Sequence, residues 1–264
     1  MRGERRASTF PLGLLGGRSR IHYEPLGVIG NISPWNFPIQ LSFSMLGAAF
    51  GAGNRVLIKP SDQTMLTSQA IETAIREYFD ETELAAFAGG FDLAVAFPKL
   101  PFDHLMFTGS PALARIISAE AAKNLTPVTL ELGGKSANIV FADADIDAAV
   151  QGAIRGIFFN QGEVCCAGSR LFVEEAAHDH FVEALAGFAG ALKQGDPLDA
   201  STQVGAQVSD EQFEKILGYI ESGVQAGATL LTGGARQGEK GYFIQPTVFT
   251  GVDKNAAIAR EEIF

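Results

Sequence analysis

Leu105-Met106-Phe107-Thr108-Gly109-Ser110-Pro111, then Ala112–Lys123, then Val128-Thr129-Leu130-Glu131-Leu132, is the stretch that decides the fold class. Its first three residues are apolar and strand-like. Ser110 and Pro111 follow where a helix would begin. A serine hydroxyl there can accept a bond from an orphaned N–H, and proline's fixed φ suits the first helical turn. The stretch therefore predicts strand, helix and strand in succession. On either side the alternation continues. Strands are expected at Gly27–Ile32, Arg55–Lys59 and Asn138–Phe141, with another starting at Phe172. Helices are expected over Leu41–Ala52, Thr67–Phe79, Asp145–Phe159, Ala177–Leu192 and Ser209–Ala226. Short strands are expected near Thr229–Leu231 and Ile244–Phe249. Alternation of this kind belongs to an α/β layered fold.

The bulk properties exclude several function classes. At 264 residues, 47% hydrophobic and 19% charged, the chain has material for a core and is not compositionally disordered. Its formal net charge of -10 opposes non-specific nucleic-acid binding, which needs a basic face. Arg2, Arg5, Arg6, Arg18 and Arg20 make one basic stretch, read as a solvated segment. No apolar run approaches the roughly 18 residues of a membrane span, and the first residues lack a secretion-type apolar region. Cys165 and Cys166 are the only cysteines. Neighbours in sequence rarely pair, so both are expected as free thiols, in keeping with a cytoplasmic location. His22, His104, His178 and His180 do not have metal-ligand spacing, so no metal is expected.

Five segments carry candidate chemistry. In Gln161-Gly162-Glu163-Val164-Cys165-Cys166-Ala167-Gly168, glycines bracket the thiols and small neighbours leave room for a substrate; alone, the loop fits an inert thiol as well as a nucleophile. Glu131, near the end of its strand, is either a general base in a cleft or an ordinary ion-paired carboxylate. Asn36, within Pro34-Trp35-Asn36-Phe37-Pro38, is held between prolines and aromatics. Its amide could donate to an oxyanion or could bond a turn. Lys59-Pro60-Ser61-Asp62 follows a strand, and its Lys and Asp could grip a ribose or cap the next helix. Gly109-Ser110 could present backbone N–H groups to a pyrophosphate, or Ser110 could act only as a cap. The usual G-x-G-x-x-G dinucleotide fingerprint is absent.

Taken in order, these segments and the closing Glu261-Glu262-Ile263-Phe264 resemble the NAD(P)-dependent aldehyde dehydrogenase superfamily. The resemblance runs from about Tyr23 to the last residue. It implies a Rossmann-type cofactor domain over residues 27–131 and an α/β catalytic domain over 132–264, after an extended segment at 1–26. It also implies that both ends are truncated relative to the family. By the resemblance, Cys165 is the nucleophile, Glu131 the general base and Asn36 the oxyanion donor. Trp35, Lys59, Ser61, Asp62, Gly109, Ser110, Leu132, Glu262 and Phe264 are the cofactor-binding residues, with Glu262 on the nicotinamide ribose. The cofactor implied is NAD, or NADP; the partner is a small aldehyde, and the assembly a homo-oligomer once the missing segments are supplied. The product would be a carboxylic acid. Two other readings stay open: a non-catalytic cofactor- or partner-binding remnant, and an enzyme that passes the acyl group to coenzyme A. The sequence departs from the family pattern at Glu163, where Gln is usual, at Ala114, where Gly is common, and at Asp62, where Glu is usual. Glu163 is expected to raise the Cys165 pKa by like-charge repulsion.

Overall fold

The computed structural model describes residues 5–264, with side chains from Ala7 onward. Arg2 of the basic stretch lies outside the described residues, as do the side chains of Arg5 and Arg6. The chain divides into two compact units between Leu132 and Gly133.

In the first unit, β1 (Arg5–Ala7) pairs antiparallel with β2 (Ser19–Ile21). The rest is built on five parallel strands: β3 (Val28–Ile32), β4 (Arg55–Lys59), β5 (Leu84–Ala86), β6 (His104–Gly109) and β7 (Val128–Leu132). Their spatial order is β5-β4-β3-β6-β7. The connections are helical: α1 (Pro38–Phe43) and α2 (Leu46–Gly51), α3 (Met65–Tyr78), α4 (Phe91–Ala96) and α5 (Pro111–Ala122).

Successive residues of each strand point to opposite faces of the sheet, and both faces are covered, so the strands are apolar along their length. Ile29, Val56, Ile58 and Met106 face one core with Leu46, Ala49, Ile71 and Ile75. Val28, Ile32, Leu57, Leu105 and Phe107 face another with Phe97, Phe102, Ala114 and Ile117. Each fully buried aliphatic side chain contributes about 1.5–3 kcal/mol, so these two layers supply most of what holds the unit together. Gly27 has φ 130°, and a Cβ there would stand 2.1 Å from the Asp103 carboxylate. The bare position lets Asp103 Oδ2 accept from Val28 N at 2.7 Å and fix the entry of β3.

Two expectations need correction here. The helix expected over Leu41–Ala52 is two short helices that begin earlier, at Pro38. Proline sits in its first turn, and Ser42, whose hydroxyl donates to Pro38 O, is buried against β3. Asp62 does not cap the following helix. Thr64 occupies the N-cap of α3, and the local turn bond runs from Gln63 N to Ser61 Oγ.

In the second unit, β8 (Ala137–Val140) and β9 (Arg170–Val173) pair in parallel, and β10 (Thr229–Thr232) and β11 (Val248–Thr250) pair antiparallel. The helices are α6 (Ile146–Phe158), α7 (Glu175–Gly190), α8 (Asp210–Gln225) and α9 (Ala257–Arg260). Asp145 caps α6 through Ala148 N, and Ser209 caps α8 through Gln212 N. One core gathers Val140, Val150, Ala153, Phe181 and Leu185; another gathers Phe213, Ile216, Ile220 and Ile244. The strand expected over Ile244–Phe249 is confined to Val248–Thr250, while Ile244 makes an isolated bridge to Arg236. Among the described residues, no helix is long and apolar enough to cross a membrane.

Candidate active site

Each unit carries its own set of candidate residues. In the first, the strand order reverses direction between the central β3 and its neighbour β6, from which the connections run outward on opposite sides. Crevices for ligands open at such switch points, beyond the carboxyl ends of the strands. All the candidates of this unit lie at those ends. Trp35 and Asn36 follow β3, Lys59, Ser61 and Asp62 follow or end β4, Gly109 and Ser110 end β6, and Glu131 and Leu132 end β7. Glu131 pairs in register with Thr108, and Leu132 with Gly109.

The loop holding Trp35 and Asn36 is tied down by residues that the sequence does not single out. The amide of Asn31, itself in β3, donates to Leu41 O and Ser42 O at 3.3 and 3.2 Å. The Ser33 and Ser42 hydroxyls bond each other at 2.7 Å, and Ser33 N donates to Lys59 O. Asn31, Ser33 and Ser42 are all buried. They clamp α1 onto the end of β3 and leave residues 34–37 as a short, fixed crossing with Asn36 half-buried in it. A buried Asn in a strand is the available sequence signal, since such a group must find partners.

Lys59 is buried, its Nζ donating to Pro60 O at 3.0 Å. Burial pushes its pKa down, and the Asp62 carboxylate pulls part of the way back. A desolvated ammonium, the Ser61 hydroxyl and the exposed Asp62 carboxylate thus share one turn at the sheet's carboxyl edge. This donor and acceptor set suits the hydroxyls of a ribose. Ser110 Oγ accepts from Leu113 N at 3.3 Å, so the capping role expected for it is present. Glu131 is exposed.

In the second unit, the helix α6 ends at Phe158 and the chain turns sharply. Asn160 (φ 49°), Gln161 (φ 60°) and Gly162 (φ 87°) are successively left-handed. Only the last is glycine, so the tight turn rests on Asn and Gln as much as on the expected glycines. Cys165 and Cys166 follow, both free and exposed. Although exposed, the Cys165 sulfur is partly desolvated by its own loop, which pushes its pKa up, and the neighbouring Cys166 adds to this. The backbone N–H groups of Cys165 and Cys166 pull it back toward the thiolate.

The expected like-charge effect of Glu163 on Cys165 is not found; the neighbouring sulfur takes that part. Glu163 instead turns inward, only 3% exposed, and its Oε1 accepts from Val208 N at 3.1 Å. Burial raises its own pKa to about 7.

Glu262 Oε1 accepts from Gly134 N at 3.2 Å. A Cβ on Gly133 would lie 1.9 Å from that carboxylate, so a bare residue is needed for the approach. Partial burial raises the Glu262 pKa, while the Gly134 N–H, Lys215 and Lys135 oppose the rise. Lys135 is pushed down to about 8 by burial and by Arg170, despite Glu262 and Glu261. The carbonyl of Phe264 accepts from the Gln212 amide of α8. A cavity of about 410 Å³ is lined by Val164, Ala167, Lys135, Glu262 and Phe264 with apolar residues of α6, α8 and β11. The structure thus brings the thiol loop's flanks and the Glu262–Phe264 segment onto one wall system. The two thiols themselves are exposed.

A family model described as the aldehyde dehydrogenase family matches residues 3–264. The chain belongs to the aldehyde dehydrogenase family. An aldehyde dehydrogenase of Alternaria alternata is 45% identical over 248 residues, 92% of this chain and 50% of that protein. The human protein named aldehyde dehydrogenase, mitochondrial, is 46% identical over 251 residues, 93% of this chain and 48% of its own length. An NAD+ complex of aldehyde dehydrogenase from Bacillus cereus superposes with TM-score 0.89 at 40% identity, covering 94% of this chain and 51% of that one. Betaine aldehyde dehydrogenase from Staphylococcus aureus, also solved with NAD+, gives TM-score 0.91 at 33% identity, covering 100% and 53%. The chain therefore spans about half the length of the relatives it matches.

Proposed function

We propose that the protein oxidises an aldehyde to a carboxylic acid, with Cys165 as nucleophile and a nicotinamide dinucleotide as hydride acceptor. The observation that carries this is the exposed free Cys165 on a tight loop, within the ordered set of motifs, in a member of the aldehyde dehydrogenase family. The thiolate of Cys165 adds to the carbonyl carbon, forming a C–S bond and moving the π electrons onto oxygen. The resulting oxyanion is stabilised by the Asn36 amide and the Cys165 backbone N–H, whose hydrogen bonds strengthen as the negative charge develops. The nicotinamide, when bound, supplies the hydride acceptor that takes the adduct to the thioester level. Glu131 removes a proton from water, the hydroxide attacks the thioester, and the acid leaves as Cys165 is regenerated.

The first unit fits a dinucleotide on two grounds: the open end of the parallel sheet at the β3/β6 reversal, and the Lys59, Ser61 and Asp62 donor set beside it. Lys59 and Asp62 would hold the adenosine ribose, with Trp35 and Ser61 beside them. Gly109 and Ser110 would meet the pyrophosphate, and Leu132, Glu262 and Phe264 the nicotinamide end. The residues at 27–131 then form the cofactor-binding part and those at 132–264 the catalytic part. The cytoplasm and a homo-oligomer are the setting proposed.

The test is incubation of the full chain with NAD and a panel of aldehydes, following NADH absorbance and the acid product. Turnover is expected, lost in Cys165→Ala and kept in Cys166→Ala. Full activity in Cys165→Ala, or none in the unmodified chain under any aldehyde, overturns the reading.

A further inference from the structure

The loop that presents Cys165 is short of ordinary support. Most of its backbone bonds are to itself: Glu163 N to Asn160 O, Val164 N to Gly162 O, Ala167 N to Val164 O. It also begins with two non-glycine residues in the left-handed region, a conformation that persists only where surroundings enforce it. At its far end Gly168 N donates to Gly156 O. Between these, two side chains reach across to the segment before α8. Gln161 Oε1 accepts from Gly205 N at 3.3 Å, and Glu163 Oε1 accepts from Val208 N at 3.1 Å. The receiving segment is itself fixed. Val204 N donates to Lys193 O, Gln207 N donates to Tyr242 O, and Ser209 caps α8 directly afterwards.

We propose that Gln161 and Glu163 are positioning residues for Cys165, pinning the thiol loop to the backbone at Gly205 and Val208 so that the loop's own amides stay turned toward the sulfur. The proposal rests on reading Cys165 as the nucleophile. Glu163 is a costly choice for mere packing. A carboxylate with 3% exposure forfeits most of its hydration, and an apolar residue would fill the space more favourably. What it gains is an acceptor placed two residues before the nucleophile. The consequence for the sulfur follows from the forces on it. Burial and Cys166 disfavour the thiolate, and the N–H groups of Cys165 and Cys166 are what oppose them. Those N–H groups belong to the loop, so a loosened loop loses the favourable contribution first.

The experiment measures iodoacetamide alkylation of Cys165 as a function of pH, by peptide mass spectrometry, in a Cys166→Ala background so that one thiol reports. Glu163→Gln retains an acceptor oxygen for Val208 N, and Glu163→Ala removes it. The expected result is a Glu163→Ala profile displaced upward by about one pH unit, with alkylation at pH 8 roughly tenfold slower, because reactivity follows the thiolate fraction. Glu163→Gln is expected to stay within about twofold. A purely structural role would lower the melting temperature and leave the alkylation profile where it was. A folded Glu163→Ala protein with the unmodified profile overturns the proposal. If Glu163→Ala does not fold, Gln161→Ala, which removes the other tie, must shift the profile in the same direction; no shift there also overturns it. Alkylation requires no turnover, so a failure of the proposed oxidation shows in the NADH assay and not in this one.

Discussion

Replacing Glu163 by Gln isolates the pH dependence that one buried carboxyl imposes on the fold. In the folded chain burial raises this group to about 7, against 4.5 for an ordinary glutamate. Between those values the folded state holds a proton that the unfolded chain has released. Stability therefore falls as pH rises across that window. The contribution is fully present below pH 4.5 and lost once pH has passed through 7. At about 1.4 kcal/mol for each pH unit separating the two states, the loss amounts to about 3 kcal/mol by pH 8. The amide introduced by Glu163→Gln carries no such proton, and its oxygen can still accept from Val208 N. The assay is urea denaturation of both proteins at a series of pH values from 5 to 8.5. Other titrating groups act equally in both, so the quantity of interest is the difference between variant and parent. It is expected to move by about 2–3 kcal/mol in favour of the variant on going from pH 5 to pH 8, part of the full loss having occurred below pH 5. Two parallel pH profiles would refute the reasoning, because they would mean that the carboxyl has the same proton affinity folded and unfolded.

Asn54 holds the approach to β3: its Oδ1 accepts from Leu26 N at 2.7 Å and Gly27 N at 3.0 Å, and its Nδ2 donates to Ala49 O. Asn54→Ala leaves these partly buried backbone groups without their partner and is expected to cost about 2–3 kcal/mol, read by the same denaturation assay; a loss under about 0.5 kcal/mol contradicts the assigned role. Lys135, near 8, should be about half neutral at pH 8. An ordinary lysine is roughly 1% neutral or less there. Limiting acylating reagent followed by peptide mapping is expected to label Lys135 ahead of exposed Lys240, and labelling in the reverse order counts against the burial that lowers it.

Much of this was legible in the residues because it is written locally. Ser110 with Pro111, Asp145 and Ser209 mark helix starts by chemistry that operates within four residues, and each is an N-cap in the structure. The β-branched run at Arg55–Lys59 and the apolar run at Val128–Leu132 name their strands in the same way. What escaped notice depends on distant partners. The strand Leu84–Ala86 has only three residues and exists because Val56, Leu57 and Ile58 offer it an edge. The placement of α1 against the end of β3 depends on Ser42, whose hydroxyl bonds Ser33 and whose carbonyl accepts from Asn31. For the candidate site, the motifs located the residues at the carboxyl ends of the strands. They could not tell that Glu163 turns away from Cys165 toward Val208, since that depends on a loop 45 residues later.

The β3/β6 seam also governs the order in which the first unit can be assembled. The β3 strand is central in space yet earliest of the five in the chain, and its bond from Val28 to Asp103 spans 75 residues. The β4 and β5 strands follow β3 within a shorter stretch, so a three-strand half-sheet can collapse while the β6 side of β3 is still bare. Loop-closure entropy rises with the length closed, so the seam is expected to form after the half-sheet. The crevice proposed for the dinucleotide lies along that same seam. A ligand seated there would bind only chains in which the seam has closed, and would stabilise that closed state.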